Sequence, residues 1–537
     1  MFYAIYSALE PGSFAEAFMH DERARVPILI AGAGPTGLVL ALTLAKHGIE
    51  FRIIAEASEP GEHSRAMVVH ARTLEFYSQL GIADDVIAAG IKIERGHLRK
   101  SNADGHSREV ASFSFGDLGT GLSPYPFALV YPQDDHERYL VKAIEERGIR
   151  IEWGTRLTGF TQDAGGVRAT ISGPGDTVET LTADYLCGCD GAHSVVRKTT
   201  GVGFGGGTYD QLYFVADVRL TEGFDTDLTM NAGRDAFTLV LPVRSSGTQR
   251  LIGLVPPRFG SRNDVTFEDL KPEQELLINA SIAEVDWFST YRVHHRVAEH
   301  FTVGRTFLLG DAGHLHSPAG GQGMNTGIGD AVNLGWKLAM VASGRASPSL
   351  LASYEPERIA FARSLVATTD RAFRSITAGG LTGEIVRAGI LPLVFRIGTS
   401  FSAGRYAMFR ILSQTQIAYP NSPLSEPARG IGGGDRLPWV SDVVPDNFGP
   451  LRSFDWQLHV YGEPSDAMRS ACTSLALPIE RRPWTPGARA AHLRRDAAYL
   501  VRPDGYVALV ISPDADAGKL RRYAERFAIR FSAPAIR

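Results

Sequence analysis

A short turn near the start of the chain contains the residue types that bring a peptide backbone close to phosphate groups. Its residues are Gly32, Ala33, Gly34, Pro35, Thr36 and Gly37. An apolar strand over residues 26–31 precedes the turn, a helix to about residue 47 follows it, and a second strand covers residues 51–55. In this order the first glycine makes the turn, the second lets a diphosphate approach, and the third lets helix and strand pack closely. The segment predicts a dinucleotide-binding unit, with a purely structural turn as the alternative.

Three polar side chains elsewhere in the first third of the chain are candidates for the same ligand. An acidic residue that binds the adenosine ribose is expected about 20 residues after the turn. Glu56 is the candidate, one place beyond the expected position, which Ala55 occupies. Arg65 could lie over the diphosphate, because a guanidinium pairs well with phosphate oxygens, and Gln133 at a helix start could donate its amide. Glu56 and Arg65 could instead be ordinary surface charges.

A second glycine-rich turn, over residues 317–323, lies almost three hundred positions further on. A buried strand at 306–309 and the pair Gly310-Asp311 precede it, and a helix with apolar residues at helical spacing starts near Asn325. Such a turn lets a planar group approach the backbone, and the helix start offers unpaired N–H groups and a positive dipole end. A flavin ring, whose reduced form is an anion, is such a ligand, and Asp311 suits the hydroxyls of its ribityl chain. The alternative is a tight strand-to-helix connection.

Composition limits the function classes. With 537 residues the chain can form two or three domains, and its 44% hydrophobic and 21% charged residues are typical of globular proteins. The formal net charge of -4 gives no electrostatic reason to expect nucleic acid or a membrane as partner. Three cysteines indicate a reducing compartment without a disulfide framework. Because the sequence also shows no secretory signal and no apolar run of about 18 residues, we expect a cytoplasmic protein.

The middle and the end of the chain have different patterns. Apolar runs separated by turns between residues 204 and 287 predict an antiparallel sheet. Phe237, Leu239 and Leu241 alternate in it and could line a site for an aromatic ligand, or could be ordinary core. After a helical stretch, a loop with several prolines and three consecutive glycines at 432–434 marks a boundary, and the tail alternates strands and helices.

Three signatures in a fixed order resemble one enzyme family. The first is Gly32-x-Gly34-x-x-Gly37, the second is Asp190-Gly191 with Ser194 and Arg197, and the third is Gly310-Asp311 through Pro318, Gly321, Gly323, Met324, Asn325 and Asp330. Together they resemble the single-component (class A) FAD-dependent aromatic hydroxylases of the para-hydroxybenzoate hydroxylase type, especially the longer phenol and polyketide hydroxylases. The resemblance covers residues 26–358 well and the tail more loosely. The offset of Glu56 is the clearest departure.

The resemblance implies an α/β fold in which a Rossmann-like FAD-binding domain carries an inserted antiparallel β-sheet substrate domain and a C-terminal thioredoxin-like domain. The implied parts are an N-terminal extension (1–25), the FAD-binding domain (26–203 and 290–375), the sheet domain (204–289), a helical segment with linker (376–434) and the C-terminal domain (435–537). The last lacks a Cys-x-x-Cys sequence, so no thiol chemistry is expected from it.

The resemblance also implies the chemistry. FAD would be held with its diphosphate at residues 32–37, its ribose at Glu56, its ribityl chain near Asp311, and its ring against Gly323, Met324 and Asn325, with Pro318 and Gly321 in the same turn. NAD(P)H would reduce the flavin, and O2 would then form a flavin C4a-hydroperoxide that hydroxylates a small, electron-rich aromatic substrate. Because the cofactor carries this chemistry, no acid or base side chain is named. Phe237, Leu239 and Pro318 are the candidate substrate contacts, and a homodimer is a further expectation.

Several alternatives make different predictions. Clustered histidines, among them His314 and His316, could suggest a metal site, but no carboxylate or cysteine completes a familiar ligand spacing, so no metal is expected. Flavin disulfide reductases need a cysteine pair near the flavin, and no cysteine precedes Cys187. Flavin halogenases carry a Trp-x-Trp-x-Ile-Pro segment that is absent here. A related flavin epoxidase, or an FAD-containing binding or regulatory protein without turnover, stays open.

Overall fold

The sheet of the first domain brings several strand ends to one edge. The computed structural model describes residues 25–61, 66–101, 107–221, 226–233, 236–244, 247–259, 262, 264–317, 319–377, 383 and 385–531. The strand order is Thr302–Val303, Thr306–Leu308, Val178–Gly188, Arg25–Ala31, Phe51–Ala55 and Ile151–Trp153. The last five strands are mutually parallel, and Gly166–Ser172 and Arg156–Asp163 extend the sheet antiparallel. This is the predicted Rossmann-like sheet, in which ligands bind at the carboxyl ends of the strands.

Helices of the first domain bury apolar side chains in the same core cluster as this sheet. They are Pro35–Lys46, Ala71–Leu80, Ala83–Ala89, Gln133–Glu145, Val195–Thr200, Gly323–Ala342 and Tyr354–Thr377. The first of them starts with proline at a position where a missing N–H costs nothing, and its interior is apolar and buried. It packs closely on Gly323–Ala342, since a Cβ at Gly335 would lie 2.6 Å from the Cγ2 atom of Thr43. The two helices that follow the two glycine turns are therefore direct neighbours.

The second sheet has eight strands and includes segments that the sequence did not assign to it. Its order is His314–Leu315, Ile282–Ala298, Phe204–Leu220, Thr248–Leu254, Phe237–Arg244, Leu228–Ala232, Arg95–Ser101 and Ser107–Ser114. The predicted boundaries of 204–289 are thus too narrow. Two strands come from the segment before residue 204, and a 17-residue strand continues past residue 289. Strand pairing between distant segments leaves no local signal, which explains the error.

Three groups of smaller elements complete this half of the chain. A three-stranded sheet is formed by Val68–Val69, Ala128–Val130 and Ile91–Ile93, and Phe115–Gly119 is a short helix. Helix Phe267–Ile278 covers a separate apolar cluster of the second sheet and begins with a capping box between Thr266 and Asp269. Helix Tyr354–Thr377 crosses the predicted boundary at 375, and Val386–Ile390, Leu391–Thr399 and Ser402–Leu412 follow it. Of the predicted N-terminal extension only Arg25 is described, as the first residue of its strand.

The C-terminal domain has the order of elements of a thioredoxin-like fold. Its strands are Ile479–Arg482, Gln457–Tyr461, Ala498–Val501 and Val507–Ile511, in that spatial order. The first pair of neighbouring strands is parallel, and the next two pairs are antiparallel. The helices are Asp466–Leu475, Pro486–Ala490 and Gly518–Arg526. Cys472 is its one cysteine, and burial raises the pKa of that thiol to about 11.

Buried charges join the C-terminal domain to the first domain. Arg502 is fully buried and donates to Glu357 at 2.7 and 3.0 Å, and Asp504 accepts a hydrogen bond of 3.0 Å from the indole of Trp336. Lys337 also donates to Glu357 at 2.7 Å. Because an unpaired buried charge is costly, each domain depends on the other for its partners.

Candidate active site

A cleft of about 300 Å³ lies at the carboxyl ends of the parallel strands. Residues that follow three of these strands line it, namely Gly32, Glu56, and Cys189 with Asp190. Thr155 and Arg156, after the fourth strand Ile151–Trp153, complete this edge. The sheet therefore brings the first and second sequence signatures together. Gly34 and Ala33 form the wall on the side of the helix start.

The three glycines of the first turn have three different surroundings. Gly32 has a φ of 108°, and a Cβ there would lie 2.2 Å from the carbonyl oxygen of Cys189. A Cβ at Gly37 would lie 2.0 Å from the carbonyl oxygen of Gly32. A Cβ at Gly34 would meet no atom within 4 Å, because this position faces the cleft at the start of helix Pro35–Lys46. The outer glycines thus permit packing, and the middle one leaves room beside unpaired helix N–H groups, where a phosphate binds well.

Glu56 lies at the predicted end of the cleft. It directly follows strand Phe51–Ala55, and its carboxylate is 3.6 Å from the guanidinium of Arg156. Both side chains line the cleft and are largely exposed. The one-residue offset from the expected position therefore does not remove Glu56 from this wall. Arg156 has no sequence signal, since it lies in a different strand and a hundred residues away.

Gln133 has a partner within the protein. Its amide nitrogen donates to the carboxylate of Glu137 at 2.6 Å, one helical turn along Gln133–Glu145. Glu137 rather than Gln133 lines the cleft, and burial raises the pKa of the Glu137 carboxyl. The predicted direct donation by Gln133 is therefore replaced by an arrangement in which Gln133 holds Glu137. Arg65, the other predicted contact, lies outside the described residues.

Thr36 packs between the first glycine turn and the segments that flank the second one. A Cβ at Gly310 would lie 2.7 Å from its hydroxyl oxygen, and a Cβ at Gly327 would lie 2.3 Å from the same atom. Glycine is therefore required at both positions for helix Gly323–Ala342 and strand Thr306–Leu308 to approach the first turn. The first turn is therefore in direct packing contact with Gly310 and with helix Gly323–Ala342, the segments that precede and follow the second turn.

Asn325 organises the second turn from inside. Its amide nitrogen donates to the carbonyl oxygens of Val68 and Gly321 at 2.8 and 2.9 Å, and its amide oxygen accepts from the His70 N–H and the Thr73 hydroxyl at 2.9 and 2.8 Å. The side chain is 1% exposed and fully hydrogen-bonded. The predicted contact of Asn325 with a ring cannot come from its side chain, which instead fixes the backbone of the turn.

The rest of the second turn presents mainly backbone. Gly320 and Gly321 have φ values of 75° and 63°, which favour glycine, and a Cβ at Gly321 would press on Val68 at 3.1 Å. Met324 is half-buried and packs against the main core, and Gly323 begins the helix. No acidic residue occupies the first helical turn, so the positive end of the helix dipole is not offset there. Pro318 lies outside the described residues.

Asp311 lies on a short turn of 3-10 helix over Gly310–Ala312. Its residue surface is open to solvent on one side, while protein atoms surround the carboxyl closely on the others. Burial raises the pKa of this carboxyl, and His314 opposes the shift. A carboxyl at this turn can accept hydrogen bonds from a polyol chain, so the contact of Asp311 with a ribityl chain stays a prediction.

Asp330 fixes the backbone beside Asp311, a role that sequence reasoning did not assign. Its carboxylate accepts the Gly310 N–H at 2.9 Å, His314 Nε2 at 2.7 Å and Arg358 Nε at 2.6 Å. Burial alone would raise the pKa of Asp330, but Arg358 and His314 together lower it. The carboxylate therefore stays charged and anchors the turn. The sequence indicated Asp330 only as a member of the third signature. Its hydrogen-bond partners could not be predicted from the sequence.

The second signature supports the same region. Asp190 accepts the backbone N–H groups of Val195 and Val196 at 2.7 and 3.1 Å, and so caps helix Val195–Thr200. Arg197 donates to the carbonyl oxygen of Ala312 at 2.8 Å, next to Asp311. The Asp-Gly signature thus contributes one wall of the cleft and a brace for the 310–312 turn.

The candidate substrate contacts are divided between core and surface. Phe237 is buried with Tyr213, Leu254 and Val293, and Leu241 is buried in a different apolar cluster. Both are ordinary core, as the alternative interpretation held. Leu239 lies between them, is half-buried and contacts both clusters, so it remains the candidate.

The clustered histidines have other partners. His314 bonds to Asp330, His300 pairs with Glu355 at 3.1 Å, and His294 bonds to the hydroxyl of Thr208 at 2.7 Å. Among the described residues no group of three or more His, Cys, Asp or Glu side chains could hold a metal ion. In the same part of the chain, no helix combines the length and apolar character needed to cross a membrane.

Comparisons with known proteins agree with this geometry. The family model described as FAD binding domain matches residues 25–369. A flavin-dependent monooxygenase of Mycobacteroides abscessus is 31% identical over 90% of this chain and 96% of its own length, and pentachlorophenol 4-monooxygenase of Sphingobium chlorophenolicum is 33% identical over 71% and 69%. The structure of OxyS, an anhydrotetracycline hydroxylase from Streptomyces rimosus, superposes with a TM-score of 0.74 and 27% identity over 95% of this chain and 100% of that one.

Proposed function

Since the chain belongs to the FAD-binding-domain family of flavin-dependent monooxygenases, we propose how its residues serve that activity and which substrates it takes. The enzyme is an FAD-dependent monooxygenase that hydroxylates an aromatic compound with O2 and NAD(P)H. The observation that supports the assignment of sites is the close packing of Gly310 and Gly327 on Thr36, by which the segments on both sides of the second glycine turn adjoin the first turn.

The cleft fits the adenosine diphosphate half of FAD. Gly34 leaves room at a helix start for the diphosphate, and Glu56 can accept hydrogen bonds from the ribose hydroxyls at the end of strand Phe51–Ala55. Arg156 holds the Glu56 carboxylate from the opposite side. Asp311 would accept hydrogen bonds from the ribityl hydroxyls, at a turn braced by Asp330 and Arg197.

The second turn fits the flavin ring through its backbone. Bound FAD supplies the redox chemistry, accepting hydride from NAD(P)H and activating O2. Gly321 and Gly323 let a planar group lie against the chain, and Asn325 keeps the turn in place by bonding to both sides of it. The N–H groups of the first helical turn and the helix dipole stabilise negative charge on the reduced ring.

For the substrate we propose a phenol with one or more fused rings. The similar proteins include a pentachlorophenol 4-monooxygenase and an anhydrotetracycline hydroxylase. In this chain the half-buried Leu239 and the partly buried Tyr291 form part of an apolar surface on the second sheet. Such a surface binds a flat, largely uncharged molecule better than a charged one.

The test is a substrate screen with the FAD-loaded enzyme. Single-ring and fused-ring phenols are tested for faster NAD(P)H oxidation, and products made under 18O2 are analysed by mass spectrometry for the gain of one labelled oxygen atom. Stimulated oxidation with labelled product supports the proposal. Tight FAD binding without stimulation by any aromatic would favour the alternative of a binding or regulatory flavoprotein. A labelled epoxide in place of a phenol would favour the epoxidase.

A further inference from the structure

The helices after residue 385 expose an apolar stripe. Ile390, Leu393, Val394 and Ile397 recur at helical spacing through Leu391–Thr399, and Phe401 continues the line beyond the helix end. Each is between 50% and 58% exposed. Apolar residues at this spacing normally face the core. Here the opposite side of the helix faces the protein, since Pro392 is buried and Phe395 stacks on Phe113 at a centroid distance of 5.1 Å.

Exposed apolar side chains are concentrated in this region. Eleven large apolar side chains are prominently exposed among the described residues, and eight of them lie between Ile385 and Ile411. Tyr406 and Ile411 extend the stripe along helix Ser402–Leu412, which is held to the protein by the buried Phe409. Scattered exposed apolar residues are normal, whereas a cluster of this kind marks an interaction surface.

The charged residues within the segment that carries the stripe are all arginines, whereas Glu384 precedes the segment and the exposed Asp117 lies on the short helix packed against Ser402–Leu412. Residues 385–425 contain four arginines and no aspartate or glutamate, although the whole chain has a net charge of -4. Arg396 and Arg410 are exposed, and no carboxylate in the described part of the chain forms an ion pair with either. From the net charge of the whole chain we expected no membrane partner. The net charge does not report this local cationic surface.

We propose that this surface, the 390–411 surface, binds reversibly to an anionic phospholipid membrane. The apolar stripe would enter the boundary between headgroups and acyl chains while the arginines contact lipid phosphates, as in amphipathic helices that lie in the membrane plane. A second copy of the chain is a poorer partner. A symmetric contact would bring the arginines of two copies of this surface together, and residues 385–425 supply no carboxylate to pair with them.

The position of the surface suggests a use. Phe113, on which the helix stacks, lies in the edge strand of the second sheet, and Leu412 shares an apolar cluster with the candidate substrate contact Leu239. A fused-ring phenol partitions into lipid, so membrane binding would bring the enzyme to the phase in which such a substrate is concentrated. Lipid binding itself does not depend on the proposed substrate and is measured without it.

The test is co-sedimentation of the full-length, FAD-loaded enzyme with vesicles. We expect at least tenfold stronger partitioning to vesicles of equal phosphatidylglycerol and phosphatidylcholine than to pure phosphatidylcholine, and a marked loss in 0.5 M salt. Leu393→Glu with Ile397→Glu should lower partitioning at least tenfold. Leu276→Glu is the matched control, because Leu276 is 56% exposed on a different helix and should leave binding unchanged.

Three outcomes would overturn the proposal. The first is absence of binding to either vesicle by an enzyme whose flavin spectrum and melting temperature are normal. The second is an equal loss of binding in the Leu276→Glu control. The third combines two results: the wild type binds no vesicles, and it is a dimer in light scattering that the Leu393→Glu, Ile397→Glu variant converts to monomer. Together they would assign the surface to a second copy.

Discussion

Among the residues of the cleft, Gly34 best allows an effect on ligand binding to be distinguished from an effect on folding. Its backbone has φ -74° and ψ 179°, which any residue adopts, and an added Cβ would meet no protein atom within 4 Å. Gly34→Ala should therefore fold normally. Replacing glycine by alanine at a compatible position restricts the unfolded chain, so the apoprotein should be as stable as the wild type or more stable by up to about 1 kcal/mol.

Gly34→Ala should weaken only the binding of FAD. The new methyl group occupies the space beside the helix N–H groups where the diphosphate is expected. Loss of one hydrogen bond to a charged phosphate oxygen costs about 1.5–3 kcal/mol, which corresponds to a Kd weaker by about 10- to 150-fold. A larger loss would mean that more than one such bond is broken.

The assay pairs two variants with a control. Apoproteins of wild type, Gly34→Ala and Gly37→Ala are titrated with FAD by fluorescence quenching and melted without ligand. Gly37→Ala should lower the melting temperature of the apoprotein, because its Cβ would lie 2.0 Å from the carbonyl oxygen of Gly32. Gly205→Ala, at an exposed glycine with equal free space, should change neither property. A wild-type Kd for Gly34→Ala would refute the placement of the diphosphate.

Three further predictions concern the ribose, the domain junction and pH. Glu56→Ala should weaken FAD binding about tenfold in the same titration without lowering the apoprotein's melting temperature, because its carboxylate contacts only Arg156 at the surface; an unchanged Kd would place the ribose elsewhere. Glu357→Gln should destabilise the enzyme in urea by about 3–5 kcal/mol, since it leaves the buried Lys337 without its carboxylate and Arg502 with Asp504 alone, whereas the exposed Glu284→Gln should have little effect. Burial lowers the pKa of His136 in the folded protein to about 3, whereas its value in the unfolded chain is near 6.5. Its contribution to stability is therefore complete above pH 6.5. As the pH falls toward 3 this contribution is lost, because the unfolded chain binds the proton first. Between pH 7 and 5 this histidine should account for about 2 kcal/mol of lost stability, and His136→Gln should reduce the measured pH dependence by that amount.

Elements with a local pattern could be predicted from the sequence. The first strand, turn and helix, the Rossmann-like sheet and the C-terminal fold are as expected, because strand and helix periodicity and glycine spacing are properties of short segments. Glu56 could be placed at the edge of the sheet for the same reason. The second sheet was assigned too narrowly, because the strands Arg95–Ser101 and Ser107–Ser114 join it from a distant segment.

The partners of individual side chains could not be predicted from the sequence. Asn325 was expected to face a ring, but its four hydrogen bonds all go to the protein. Gln133 was expected to face the ligand, but Glu137 takes its amide. A polar residue beside a glycine turn has the same sequence signature whether it binds the ligand or fixes the turn. Whether such a residue binds the ligand or fixes the turn depends on which polar groups from distant parts of the chain lie next to it.

The junction with the C-terminal domain explains why that domain is retained without thiol chemistry. Helix Gly323–Ala342 begins at the turn proposed for the flavin ring and carries Trp336 and Lys337 near its other end. Asp504 accepts from the Trp336 indole, and Arg502 shares Glu357 with Lys337. Burial alone would raise the pKa of Glu357, but Arg502 and Lys337 together lower it, so the carboxylate remains charged in the core. Removing the C-terminal domain would leave Glu357 with one cation and expose Trp336, so the helix that supports the flavin site needs that domain for its own stability.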